Sequence, residues 1–138
     1  MALNPLAPLT SVAARGAKVN QQLATACKKY SRAQEEVRVL AVSKTQPLAA
    51  VEAAIAAGFY HFGENYLQDA LPKIQELTNP AIFWHFIGAI QSNKTKEIAE
   101  NFSYVHTLSR LKIAQRLNKQ RPTNLQPLKG FIQVNISN

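Results

Sequence analysis

Short runs of contiguous apolar residues alternate along this chain with longer segments whose apolar positions recur at helical spacing. The short runs are VRVLAVS (37–43), FYHFG (59–63), IFWHFIG (82–88), YVHTL (104–108) and GFIQVNIS (130–137). They are rich in β-branched and aromatic residues, which suits strands covered on both faces. SVAARGAKVNQQLATACKKY (11–30) precedes them as a helix, and PLAAVEAAIAA (47–57), ENYLQDALPKIQEL (64–77), SNKTKEIAENF (92–102) and SRLKIAQRLNKQ (109–120) separate them as helices. Pro47 suits a first helical turn, and Gly58 suits the position just past a helix end. Pro72 should kink or break its helix, since it lacks an N–H and crowds the preceding turn. Strands alternating with helices predict an α/β fold with a parallel sheet. Two architectures fit five such strands: an open doubly wound sheet, or part of a (β/α) barrel. Periodicity leaves both open.

A length of 138 residues with 46% apolar content matches one domain with a real core, spanning 1–138, with residues 1–10 expected to be flexible. No apolar stretch approaches the roughly 18 residues that span a bilayer, and MALNPLAPLTSVAARG lacks a signal-peptide core, so a cytoplasmic location is expected. Cys27 stands alone in the sequence, which excludes an internal disulfide; within a helical pattern it reads as a small buried apolar residue. The net charge of +8 is uneven: residues 1–69 carry seven Lys/Arg against five Asp/Glu, and residues 70–138 carry nine against three. In that second half Lys94, Lys96, Arg110, Lys112, Arg116, Lys119 and Arg121 are dispersed, with no aromatic platform between them. A solvated basic face is expected, and nucleic acid is not.

Three polar clusters stand where strands run out into loops: Ser43-Lys44-Thr45, Gly63-Glu64-Asn65, and Gly88 followed by Gln91-Ser92-Asn93-Lys94. The carboxyl edge of a parallel sheet is where ligands bind in α/β folds. Each cluster also has a structural explanation. Lys44 can simply snorkel into solvent; Glu64, Asn65 or Ser92 can cap the helix that follows; Gly63 and Gly88 can serve tight turns. His85 alone is more often a hydrogen-bonded core histidine than a catalyst, and His61 and His106 say less still. The sequence has no CxxC, HExxH or close carboxylate pair to support a metal site or a glycosidase.

Taken in order, VSKTQP, FGENYLQ, WHFIGAIQSNK and QVNIS resemble the pyridoxal phosphate homeostasis protein family, across Val37 to Ser137. These proteins belong to the alanine-racemase-like, fold-type III group. The resemblance implies a partial (β/α) TIM-type barrel of about five parallel strands with outer helices. It implies that Lys44 carries pyridoxal 5′-phosphate as a Schiff base at the end of the first strand, that Asn65 lies beside the cofactor ring, and that His85 and Ser92 are weaker members of the site. It further implies a non-catalytic carrier that buffers vitamin B6 and amino-acid balance, with cofactor-dependent apoenzymes as partners. A lysine above Leu40 and Val42 would have its pKa lowered by desolvation. On the last strand Gln133, Asn135 and Ser137 would form a polar row, opposite a row of Ile132, Val134 and Ile136 packed on helices.

The family pattern continues past a fifth strand with Gly-Met-Ser and Arg/Gly-containing segments that hold the phosphate. The 138 residues alone are therefore expected to hold the cofactor weakly, with Lys44 exposed rather than enclosed. Gln46 departs from a common second lysine, and Ala89-Ile90 from a bulkier or proline-containing pair. The alternatives are a racemase or decarboxylase of the same fold type, which needs a further β-domain and a second catalytic group, and a half-barrel that binds nothing.

Overall fold

The computed structural model describes residues 9–137, so the expectation for residues 1–10 falls mostly outside the described residues; Leu9 and Thr10 already belong to the first helix. The elements in order are α1 (Leu9–Lys29), β1 (Ala41–Val42), α2 (Leu48–Ala56), β2 (His61–Glu64), α3 (Leu67–Glu76), β3 (Phe83–Phe86), α4 (Thr95–Asn101), β4 (Tyr104–Leu108), α5 (Leu111–Gln120) and β5 (Lys129–Ile132). Short 3-10 turns cover Gln34–Glu36 and Ser92–Lys94. The sheet order is β1-β2-β3-β4-β5, and the β2–β3, β3–β4 and β4–β5 pairings are parallel. This order resolves the architecture. A doubly wound sheet reverses strand order at a switch point, whereas a (β/α) barrel adds each strand beside the last in one direction. The chain is an α/β fold of the partial-barrel kind.

The described chain divides into two compact units, one running up to Ala41 and resuming over Gln46–Tyr60, the other made of Val42–Thr45 and the residues from His61 onward. In the first, α1 packs on α2. Gly16 faces the Phe59 ring so closely that a Cβ there would overlap it, and Cys27 is buried as expected. Gly58, at φ +91°, takes the left-handed conformation that stops α2.

In the second unit the core is built from Phe62, Trp84, Phe86, Ile98, Phe102, Val105, Ile113 and Leu117. Alternation sorts the strands: Phe62, Trp84 and Phe86 turn one way, and Phe86 meets Phe102 at the end of α4 with ring centroids 5.3 Å apart. Helix α3 continues through Pro72 rather than breaking there. Tolerance has a local cause, because Pro72 sits on the exposed side, where the carbonyl it deprives of a partner can be hydrated.

Two strand expectations shrink. The run 37–43 yields only Ala41–Val42, and 130–137 yields only Lys129–Ile132. Both are edge strands in the sheet order, and ladder pairing ends where the single neighbour does: Gln133 N–H reaches Leu108 O at 2.8 Å, after which β4 has ended. The proposed polar row of Gln133, Asn135 and Ser137 is therefore not on a strand, and its apolar counterpart packs on nothing described, with Val134 72% and Ile136 93% exposed. No helix among the described residues is long and apolar enough to cross a membrane.

Candidate functional site

The carboxyl ends of β1 and β2 lie side by side. Ser43 N–H donates to Gly63 O at 3.0 Å, so Lys44, one residue past Ser43, and Asn65, two residues past Gly63, follow neighbouring strand ends. Ser43 is buried while Val42 and Lys44 are exposed, so the alternation read from the sequence holds. The enclosure does not. Val42 is 50% exposed and Lys44 stands in solvent, so no apolar layer desolvates the amine as the barrel reading expected. Exposure here agrees with the expectation for these 138 residues by themselves. Directly after it, Thr45 has φ +63°, a left-handed turn that takes the chain sharply off the strand.

Beneath this edge lies a buried polar group that sequence reasoning missed. Glu64 is wholly buried, and its Oε1 accepts from Ser43 Oγ at 2.6 Å and from Lys73 Nζ at 2.7 Å. Lys73 Nζ also donates to Ser43 O at 3.0 Å. Glu64 thus belongs to β2 and does not cap α3; Tyr66 holds that cap position, and no side chain bonds there. One signal was available. Leu67, Ala70 and Lys73 recur at threes on the buried stripe of α3, and a lysine on such a stripe requires a buried anion.

The opposite sheet face carries rings. His61 Nδ1 and His85 Nε2 are 2.8 Å apart, and so are His85 Nδ1 and His106 Nε2, which joins three imidazoles across β2, β3 and β4. Pairing of His61 with Phe83, of Gly63 with His85, and of His85 with Tyr104 makes this a diagonal that climbs two residues per strand. His61 stacks on Phe83 at 4.7 Å, and His106 meets Phe131 at 4.6 Å. Burial lowers the His106 pKa below its ordinary value. Among the described residues no group of three His, Cys, Asp or Glu side chains is placed to hold a metal ion.

Ser92 opens the 3-10 turn before α4, where its carbonyl accepts from Thr95 Oγ1 at 3.0 Å and Arg116 Nε at 3.1 Å; Lys94, not Ser92, holds the cap position of α4. Gly88 serves a close approach rather than a turn conformation, because a Cβ there would collide with the Asn65 carbonyl. Asn65, Gly88, Gln91 and Lys94 line a cleft of about 380 Å³ that does not include Lys44. Its cation, Lys94, pairs with Glu97 at 3.5 Å. The expected solvated basic face is correct for Lys96, Lys112 and Lys119, but Arg116 and Arg121 are half-buried and spend their donors on carbonyls. The structure thus sets Lys44 and Asn65 just beyond neighbouring strand ends, places His85 in the imidazole row, and puts Ser92 in the turn before α4, outside the residues that line the cleft.

A sheet that adds parallel strands in sequence order, with a solvent-facing lysine ending the first, defines this chain as part of a (β/α) barrel with a candidate amine site at its carboxyl edge. No family model matches the chain. Individual relatives do. A pyridoxal phosphate homeostasis protein of Pseudomonas aeruginosa is 53% identical over 129 residues, covering 94% of this chain and 56% of the relative. One of Haemophilus influenzae is 52% identical over 121 residues, covering 86% and 51%. The solved structure of PipY from Synechococcus elongatus PCC7942 with PLP bound superposes with a TM-score of 0.62 at 39% identity, over 74% of this chain and 47% of that one. The chain is similar to these pyridoxal phosphate homeostasis proteins, and it spans about half the length of the curated relatives it matches.

Proposed function

We propose that this chain is the lysine-bearing part of a single cofactor-binding barrel domain, and that it takes up pyridoxal 5′-phosphate as a Schiff base on Lys44. The observation that carries this reading is the place of Lys44: exposed, just past the first of five sequentially ordered strands, where Ser43 before it bonds to Gly63 of β2. The cofactor supplies an aldehyde that condenses reversibly with a primary amine. Among the described residues no ion pair engages Lys44, so its nitrogen is available to such a carbonyl. Asn65 flanks the ring in this reading, with His85 and Ser92 supporting the surroundings. The role is a carrier's: buffering vitamin B6 in the cytoplasm and passing it to cofactor-dependent apoenzymes, without turnover of its own.

Retention is a separate matter from capture. A phosphate is held by several charge-assisted hydrogen bonds, and the cleft beside Asn65 offers one lysine that is already paired. If three such bonds at about 1.5 kcal/mol each are lacking, affinity falls by roughly a thousandfold. Titrating the chain with pyridoxal 5′-phosphate and following absorbance should therefore give a Lys44-dependent signal that saturates well above low micromolar concentration. Saturation at low micromolar would show that these residues suffice for the phosphate, and a folded chain with no signal at all would overturn the reading.

A further inference from the structure

We propose that Glu64 and Lys73 are positioning residues: their buried ion pair holds the Lys44 and Asn65 strand ends in the relative placement that cofactor capture requires. The inference rests on the reading of Lys44 given above.

Four observations carry it. First, the pair grips both strand ends one residue away from the candidate site, since Ser43 precedes Lys44 and Glu64 precedes Asn65. Second, the grip is on the backbone. Lys73 Nζ donates to the Ser43 carbonyl, which lies in the same rigid peptide plane as the Lys44 nitrogen, so holding one orients the other. The Glu64 carbonyl in turn accepts from Ile87 N–H at 2.8 Å, which ties the group to the end of β3. Third, the chain departs from β1 through a left-handed Thr45, a conformation that a β-branched residue keeps only where its surroundings impose it.

The fourth observation separates positioning from stability. Removing two charges from water costs about as much as their pairing returns, so a well-packed apolar pair would serve a core equally well. This pair is not even fully satisfied: Glu64 Oε2 is buried with no hydrogen-bond partner among the described residues. A group so poorly optimised for stability is explained by the geometry it imposes on the two strand ends.

The double variant Glu64→Met/Lys73→Met tests this, because it removes the clamp without leaving a buried charge unpaired. Glu64→Gln, close to Glu64 in volume, is carried alongside in case the double variant does not fold. In the cofactor-free chain, backbone order parameters at Ser43, Lys44 and Asn65 should fall from the rigid range of about 0.85 toward 0.6 or below, while those of β3 and β4 stay unchanged. With pyridoxal 5′-phosphate as the probe, the concentration needed for half-maximal borohydride trapping on Lys44 should rise at least tenfold, with the melting temperature near that of the parent chain. A folded variant lacking the pair, with unchanged order parameters or with a trapping curve superposed on the parent's, overturns the proposal. Failure of the parent chain to trap cofactor on Lys44 would instead sink the Lys44 reading and the positioning role with it, while the order parameters would still report whether the clamp exists.

Discussion

His85 lies flat on Tyr104, with ring centroids 4.1 Å apart and planes within 1°. The contact fixes the middle imidazole of the histidine row in the one orientation that lets both its nitrogens reach neighbours, Nε2 to His61 and Nδ1 to His106. A neutral imidazole donates from one nitrogen and accepts at the other, so the tautomers of the three rings are set together. His85→Phe would keep a ring over Tyr104 and delete both bonds. It should destabilise the fold by about 1–3 kcal/mol, read as a lower urea midpoint at unchanged slope. An unchanged midpoint would mean that the row is held by stacking alone.

His106 gives the row a pH dependence of known sign. Burial favours its neutral form and lowers its folded pKa, so below the ordinary value of about 6.5 the unfolded chain binds more protons than the folded one. The stabilisation is complete above about 6.5 and is lost as pH falls from there toward the lowered folded value. The groups facing His106 are His85 and the Phe131 ring, with Lys129 close by over Tyr104. Chemical denaturation at several pH values between about 7 and 5.5 should show the parent chain losing more stability than His106→Phe. Parallel curves would remove His106 as the source.

Arg121 closes the end of α4. Its Nη1 donates to Ala99 O at 2.6 Å and Phe102 O at 2.7 Å, and its Nε and Nη2 both reach Gln126 O. Arg121→Ala should cost about 2 kcal/mol or more in a thermal or urea melt, since charged hydrogen bonds are among the stronger ones. Arg121→Lys should recover little of it, because the donors of an ammonium sit on one nitrogen and cannot reach carbonyls that the guanidinium serves from three. Full recovery by lysine would show that charge rather than geometry matters here.

Gly88 permits β3 to run out against the Asn65 carbonyl. Gly88→Ala forces backbone atoms apart and should destabilise by about 1–3 kcal/mol, as overpacking does. The displacement should also shift the Asn65 and Tyr66 amide resonances. Unmoved resonances with unchanged stability would mean that the loop yields at no cost.

The interior elements were legible because two neighbours enforce what periodicity suggests. YVHTL matches β4 residue for residue, and IFWHFIG contains β3 with its ends trimmed. The outer runs overreached because Val37 to Leu40 and Gln133 to Ser137 have strand composition but lie outside β1 and β5, and propensity does not report where a strand ends. Lys44 lies two residues past the short β1, and its exposure depends on what covers the sheet face, which no local pattern states. Lys73 meets Glu64 across nine residues and the turn of a helix, and the histidines meet through a two-residue offset between parallel strands. Such pairings exist only once register is set.

The central claim is that Lys44 is the amine that captures pyridoxal phosphate, and borohydride reduction followed by peptide mass mapping tests it most directly. The chain, incubated with the cofactor and reduced, should carry the pyridoxyl mass on the peptide containing Lys44, and Lys44→Ala should abolish it. Lys94 is the nearest competitor at the same edge, but it is half-buried and paired with Glu97, and Lys96 is paired with Glu100 at 3.9 Å. Modification that persists on Lys94 or Lys96 when Lys44 is replaced, or that spreads evenly over the surface lysines, would contradict the account.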